Sequence, residues 1–221
     1  MDSLRLTIET DLSRIDAQQW DALAGDQPFL RHAFLRALHE TGCAAPATGW
    51  APHYLALWRD GALAAAAPLY LKSHSRGEYV FDYAWADAFQ RHGMRYYPKL
   101  LSAIPFTPVT GPRLLARNDE DRATLVRGLI AFAEEVQVSS LHLLFPSDTD
   151  MRALREAGFM IRESVQFHWT NPGYSDFDAF LATMSHDKRK KIRQDRKKVA
   201  AAGLSYRWLR GAEIGAAELD F

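Results

Sequence analysis

The chain has 221 residues, 48% of them hydrophobic and 24% charged, with 27 Lys plus Arg against 27 Asp plus Glu. That length and balance exclude general disorder and leave no overall field to draw nucleic acid or an anionic membrane, so any such attraction must be local. The one cysteine, Cys43, excludes an internal disulfide and cysteine-based zinc frameworks, so no metal is expected.

The first residues, MDSLRLTIETDLSRID, alternate in charge and lack the apolar core of a secretory signal, and no apolar run reaches the length of a membrane helix. A cytoplasmic chain with no transmembrane segment is expected. Leu4, Leu6 and Ile8 alternate with polar residues and predict a strand with one face buried. A short helix follows from about Ile15 to Leu23, and a second begins at Pro28, carries Leu30, Phe34, Ala37 and Leu38, and stops at Gly42. Tyr54 to Trp58 and Leu63 to Leu71 flank Arg59-Asp60-Gly61 and predict an antiparallel hairpin, bulged or at an edge where Pro68 lacks a donor.

From Ser73 to Gly111 the periodicity fails, which reads as a long functional loop. Regularity returns with a helix capped by Asn118 or Asp119 and running to about Glu135, a strand at Ser140 to Phe145, a helix at Asp148 to Ala157, and a strand at Met160 to Thr170. This order predicts an α/β sheet. Beyond Asn171-Pro172-Gly173, Phe177, Phe180, Leu181 and Met184 mark a helix behind Ser175. A cationic helix then spans Ser185 to Ala202, and Leu204 to Leu209 reads as a strand. The final GAEIGAAELDF opens a helical pattern with no C-cap, so the second half is expected to be incomplete.

Four constellations carry candidate chemistry. The run DKRKKIRQDRKK offers Lys188, Arg189, Lys190, Arg193 and Lys197 for an anionic ligand, the alternative being a solvated helix face. Lys72, His74, Glu78, Asp82 and Asp87 crowd among aromatics including Trp85. Carboxylates desolvated there rise toward the range of a general base, which makes Glu78 and Asp82 candidates, unless they merely pair with Lys72, Arg76 and Lys99. Tyr96 and Tyr97 can wall a pocket with Lys99 and Arg113 as anion binders, or the same proline-rich stretch can be a structural crossover. On the predicted strand at QFHW, Gln166 and His168 share one face, with His168 either a catalyst or an ordinary satisfied polar residue. No nucleophile elbow, P-loop, dinucleotide glycine motif or H-E-x-x-H occurs.

PFLRHAFLRALHETG, TGWAPHYL, PLYLKSHSRGEYVFDYAWADAF, YYPKL, IPFTPVTGPRLL, SLHLLF, QFHWTN and KRKKIRQDRKKV together resemble the FemAB-like N-acyltransferases of bacteria, within the GNAT acyltransferase superfamily and associated with peptidoglycan biosynthesis or recognition. The resemblance runs in order from Pro28 to Val199. It implies a GNAT-like mixed sheet flanked by helices over residues 1–171 and the beginning of a second GNAT-like domain over 172–221. It also implies transfer of an acyl or aminoacyl group to an amine, with a cell-wall precursor as the acceptor class. The acyl-CoA turn of ordinary GNAT enzymes, Arg/Gln-x-x-Gly-x-Gly/Ala, is missing, so the donor is expected to be either aminoacyl-tRNA or acyl-CoA, with no resident cofactor. On this view Lys72, Tyr96, Lys99 and Arg113 hold the acceptor, Glu78 or Asp82 moves the proton, and the cationic helix steers the donor. A noncatalytic module that binds an anionic precursor or tRNA remains the alternative. The oligomeric state is not encoded in any motif.

Overall fold

A computed structural model describes residues 3–220; Met1, Asp2 and Phe221, at the ends of the two expected domains, lie outside it. The chain divides into two compact units, Met1–Arg162 and Glu163–Phe221.

The first unit is mixed α/β, with two four-stranded sheets. In one, β1 (Leu4–Glu9), β3 (Tyr54–Arg59), β4 (Ala62–Ala67) and β7 (Leu115–Ala116) run antiparallel in the order β1-β3-β4-β7. Asp60 and Gly61 both have positive φ, 50° and 79°, the backbone that a tight two-residue hairpin demands. In the other, β2 (Trp50–Pro52), β5 (Leu69–Lys72), β6 (Lys99–Ser102) and β8 (Leu141–Leu143) lie in the order β2-β5-β6-β8, with only β6 and β8 parallel. The apolar run expected as one bulged strand is therefore two. The chain changes sheet at Pro68, where a residue without an N–H leaves no ladder donor unpaired.

Both faces of the central strands are covered. Tyr54, Ala56, Tyr70 and Leu101 join Trp20, Leu30, Leu35 and Trp50 in one cluster, while Leu55, Leu57, Leu69 and Leu100 join Leu125, Leu129 and Leu154 in another. This double burial explains why β3 to β5 read as continuous apolar runs rather than alternating ones. Edge strand β1 is covered less than its pattern suggests, for Leu4 and Leu6 stay exposed. Leu6 still lies on α4 (Asp119–Glu135) at Gly128, where an added Cβ would sit 2.8 Å from Leu6 Cδ1.

Side-chain caps set the helix starts. Asp16 Oδ1 accepts from Gln19 N at the head of α1 (Ala17–Ala24), Asn118 Oδ1 from Asp121 N at α4, and Ser147 Oγ from Asp150 N at α5 (Asp148–Glu156). The helix expected from Pro28 is a 3-10 turn at Pro28–Leu30 followed by α2 (His32–Glu40), because Arg31 leaves helical backbone at ψ 138°. Within the stretch expected as one long loop lie α3 (Tyr83–Arg91) and β6.

In the second unit, α6 (Phe177–Ala182) is capped by Asp176 rather than Ser175, and α7 (His186–Ala201) and α8 (Ala216–Leu219) follow. The segments expected as strands at Met160 to Thr170 and Leu204 to Leu209 pair with nothing in a sheet among the described residues. Their alternation matches a strand, but alternation alone supplies no hydrogen-bonded neighbour. Among the described residues no helix is long and apolar enough to cross a membrane.

Candidate functional site

The register of the second sheet lays Trp50, Lys72 and Lys99 side by side across β2, β5 and β6. Two lysines directly opposed on adjacent strands repel, and both are buried. The compensating acids come from the segment that leaves β5. There Gly77 (φ 81°) and Tyr79 (φ 61°) take left-handed backbone, and from Glu78 to Tyr83 the side chains alternate inward and outward. Glu78, Val80 and Asp82 turn in; Tyr79, Phe81 and Tyr83 turn out.

Lys99 Nζ donates to Glu78 Oε2 at 2.8 Å and to Asp82 Oδ2 more closely. Tyr96 OH donates to Asp82 Oδ2 at 2.7 Å and Tyr97 OH to Asp82 Oδ1 at 2.9 Å, with Ser75 Oγ 3.2 Å from the second hydroxyl. Burial works to raise the Asp82 pKa, but the bonds from Lys99, Tyr96 and Tyr97 outweigh it and hold the carboxyl at about 2. Its oxygens are fully engaged, so Asp82 is an anchor and a poor proton acceptor.

Glu78 differs from it. Burial raises its pKa against the pull of Lys99, and Oε1 is buried with no hydrogen-bond partner. Lys72 has lost much of its hydration as well, and its pKa falls to about 8. Its ammonium lies 3.7 Å from the centre of the Trp50 ring and donates to Arg76 O at 3.3 Å, while Trp50 Nε1 is buried without an acceptor. An acceptor oxygen, an indole donor and a weakly solvated amine are thus all left incompletely satisfied in one buried cluster.

The family model for FemAB-like proteins, described as peptidoglycan biosynthesis/recognition, matches residues 11–221. The chain belongs to the FemAB-like family. Two solved structures resemble this FemAB-like chain. The aminoglycoside N-acetyltransferase AAC(6')-Iy in complex with CoA is 12% identical, with a TM-score of 0.45 over 77% of this chain and 96% of the other. Ribosomal-protein-alanine N-acetyltransferase from Brucella melitensis biovar Abortus 2308 is 16% identical, with a TM-score of 0.44 over 76% of this chain and 99% of the other. Among curated proteins, none matches the FemAB-like chain.

Of the residues singled out in sequence, Lys72, Glu78, Asp82, Tyr96, Tyr97 and Lys99 are brought together. His74 lies in the same turn, where its Nδ1 accepts from Arg76 N at 3.2 Å. Trp85 stands half-exposed on α3, outside the buried cluster. Arg113 has a different task. Burial lowers its pKa to about 10, and its guanidinium donates to the carbonyls of Leu144, Gly111, Pro112 and Val109 at 2.6 to 3.2 Å, while its N–H donates to Asp150. It braces the proline-rich crossover, and those bonds occupy the donors with which it was expected to bind an anion.

Gln166 and His168 belong to the second unit, exposed and without the expected strand, with His168 Nε2 3.2 Å from Gln166 Oε1. On α7 the two kinds of cation separate. Arg189 Nη1 donates to the carbonyls of Ala182 and Met184, Arg193 pairs with Asp178 at 3.5 Å, and Arg196 covers the Phe177 ring at 4.4 Å. Lys188, Lys190, Lys191 and Lys197 are exposed and have no carboxylate partner among the described residues. The arginines of the expected donor set therefore fasten α7 to α6, and the lysines face solvent.

Sequence reasoning missed His142, Trp50 and Ser75. His142 Nε2 is 3.3 Å from Tyr96 OH and 2.9 Å from Ser140 Oγ; burial and Lys99 lower its pKa to about 4, so it is neutral. A single polar residue inside the apolar run SLHLLF was the available signal. Among the described residues no cluster of His, Cys, Asp or Glu is placed to hold a metal ion.

Proposed function

We propose that the chain is an N-acyltransferase in which Glu78 accepts the proton of the acceptor amine. The observation that supports this reading is the Glu78 carboxylate itself. One oxygen is fixed by Lys99, the other is buried and unpaired, and the pKa is raised, the properties required of an oriented general base. Because Glu78 is 3% exposed, the amine reaches Oε1 through local opening of the turn from Ser75 to Glu78 while Asp82 stays anchored. The nitrogen attacks the donor carbonyl, Glu78 takes the N–H proton, and the tetrahedral adduct expels the oxygen or sulfur leaving group of the donor. Lys72, Tyr96, Tyr97 and Lys99 frame the acceptor, and the lysines of α7 attract a phosphate-bearing donor, acyl-CoA or aminoacyl-tRNA. Membership of a peptidoglycan family supports a cell-wall amine as acceptor.

Glu78→Gln keeps the volume and removes the base. Offered acyl-CoA and aminoacyl-tRNA donors with amine acceptors, and read by mass spectrometry, this variant is expected to lose at least about 100-fold in transfer rate while still binding ligand. The near-complete burial of Glu78, Asp82 and Lys99 favours a second reading, a noncatalytic module braced by an internal ion-pair network. Absence of transfer by the unaltered chain with every donor, alongside undiminished ligand binding, would establish that reading and remove the first.

A further inference from the structure

Three polar atoms of the buried cluster are short of partners, and their needs are complementary. Trp50 Nε1 has a proton and no acceptor; Glu78 Oε1 has lone pairs and no donor. Lys72 Nζ carries three protons, of which one goes to Arg76 O at 3.3 Å, while the group rests 3.7 Å from the centre of the Trp50 ring. The three residues are 0 to 3% exposed, so bulk solvent does not make up the deficit. Unmatched donors and acceptors are costly in a core, and each calls for an explanation in function.

One turn covers them. A Cβ added to Gly77 would sit 3.3 Å from Trp50 Nε1 and 2.7 Å from the Phe106 ring, so the Gly77 backbone lies directly against the indole N–H. The turn is held loosely. Every hydrogen bond described for Ser75, Arg76 and Gly77 measures 3.2 to 3.4 Å, against 2.7 and 2.9 Å for the two tyrosines on Asp82. Its opening takes Arg76 O from Lys72 and Gly77 from Trp50, which frees both donors in the step that uncovers Glu78.

Charge restricts what can enter. Lys72 and Lys99 are opposed by Glu78 and Asp82, two groups of each sign in one buried cluster. A guest that is only an anion or only a cation would leave an excess charge out of water, whereas a guest that carries both leaves the balance unchanged. We propose that the acceptor is zwitterionic, an amino acid or an amino-acid unit whose carboxylate replaces Arg76 O on Lys72 and accepts from Trp50 Nε1, while its amine meets Glu78 Oε1. A carboxylate has one oxygen for each donor and a single charge; a phosphate, with up to two charges, would exceed the balance. The assignment rests on the reading in which Glu78 receives the acceptor's amine, and it narrows that amine to one accompanied by a carboxylate.

The test follows the Trp50 indole N–H by nitrogen-15 NMR in the full chain at pH 6.5, its resonance assigned by its loss in Trp50→Phe. Glycine, β-alanine and 4-aminobutyrate vary the spacing of amine and carboxylate, and each is compared with its amide and with acetate. At least one of the acids is expected to shift the resonance saturably, with its amide needing roughly tenfold more or greater. Lys72→Met should erase the difference between acid and amide; the comparison on the unaltered chain stands whether or not that variant folds. Equal shifts by acid and amide, a shift by acetate as strong as by any amino acid, or no shift with any compound overturns the proposal. Glu78→Gln separates it from the reading on which it rests. Transfer that persists in Glu78→Gln, with the preference for acid intact, removes Glu78 as the base and leaves the carboxylate site. Transfer lost in Glu78→Gln, with acid and amide alike on the unaltered chain, keeps the base and removes the carboxylate site.

Discussion

Replacing Lys99 by Met removes the one ammonium that both Glu78 and Asp82 contact, and leaves two carboxylates buried without it. Tyr96 and Tyr97 continue to donate to Asp82, whereas Glu78 loses the only hydrogen-bond donor described for it. Breaking a buried pair from one side costs about 3 to 5 kcal/mol. At about 2 to 4 °C per kcal/mol for a unit of this size, the melting point of the first unit should fall by roughly 12 °C at pH 7. The loss should also depend on pH. In the native chain Asp82 at about 2 lies below its unfolded value near ~3.9, so its contribution is present above that value and is lost as pH falls through 2. Glu78 is already raised by burial and loses the group that opposed it, so in Lys99→Met its carboxyl binds a proton more readily folded than unfolded and the variant regains stability on acidification and loses it as pH rises. Scanning calorimetry between pH 5 and pH 8 reads both effects. A deficit under about 1 kcal/mol, or one that does not change with pH, would refute the view that Lys99 neutralises this cluster.

Lys72 gives the opposite slope on the alkaline side. Its folded pKa of about 8 lies below the ordinary value of 10.5, so the folded state sheds this proton first and stability should rise from pH 8 toward pH 10. Denaturant titrations of the native chain and of Lys72→Met should diverge across that interval; parallel curves would show that Lys72 is not desolvated. On α7, changing Lys190, Lys191, Lys197 and Lys198 to Gln should weaken binding of a polyanion such as tRNA and flatten its dependence on salt, with helicity retained. Arg189→Gln should instead lower the stability of the second unit by about 0.5 to 1.5 kcal/mol, measured by urea unfolding, because two carbonyls exchange their donor for water.

Much of this organisation is local and therefore legible in sequence. Asp60-Gly61 fixes its hairpin by backbone preference alone, and Asn118 marks a helix start because a cap needs only its own first turn. The carboxylates among the aromatics identified Glu78 and Asp82, although only the structure distinguishes them, since one is saturated with donors and the other retains a free oxygen. The change of sheet at Pro68 was not legible, because a proline reports a missing donor but not the partner on either side. Nor was α3, whose apolar residues cover no core and so give no buried stripe to read against. Arg113 looked like an anion binder because its guanidinium is cationic; that its bonds end on four carbonyls is a tertiary fact. Met160 to Thr170 shows the converse, a strand pattern for which no paired neighbour is described.

The alternation from Glu78 to Tyr83 carries one further consequence. This segment has no ladder to hold its phase, yet its inward and outward side chains are assigned as strictly as those of a strand. Inserting or deleting one residue between Gly77 and Asp82 would exchange the two sets, directing rings at the opposed lysines and acids at solvent. Surface loops ordinarily tolerate changes in length. This one is expected to accept substitution of its outward residues far more readily than any change in their number, a constraint of spacing imposed by the lysine pair beneath it.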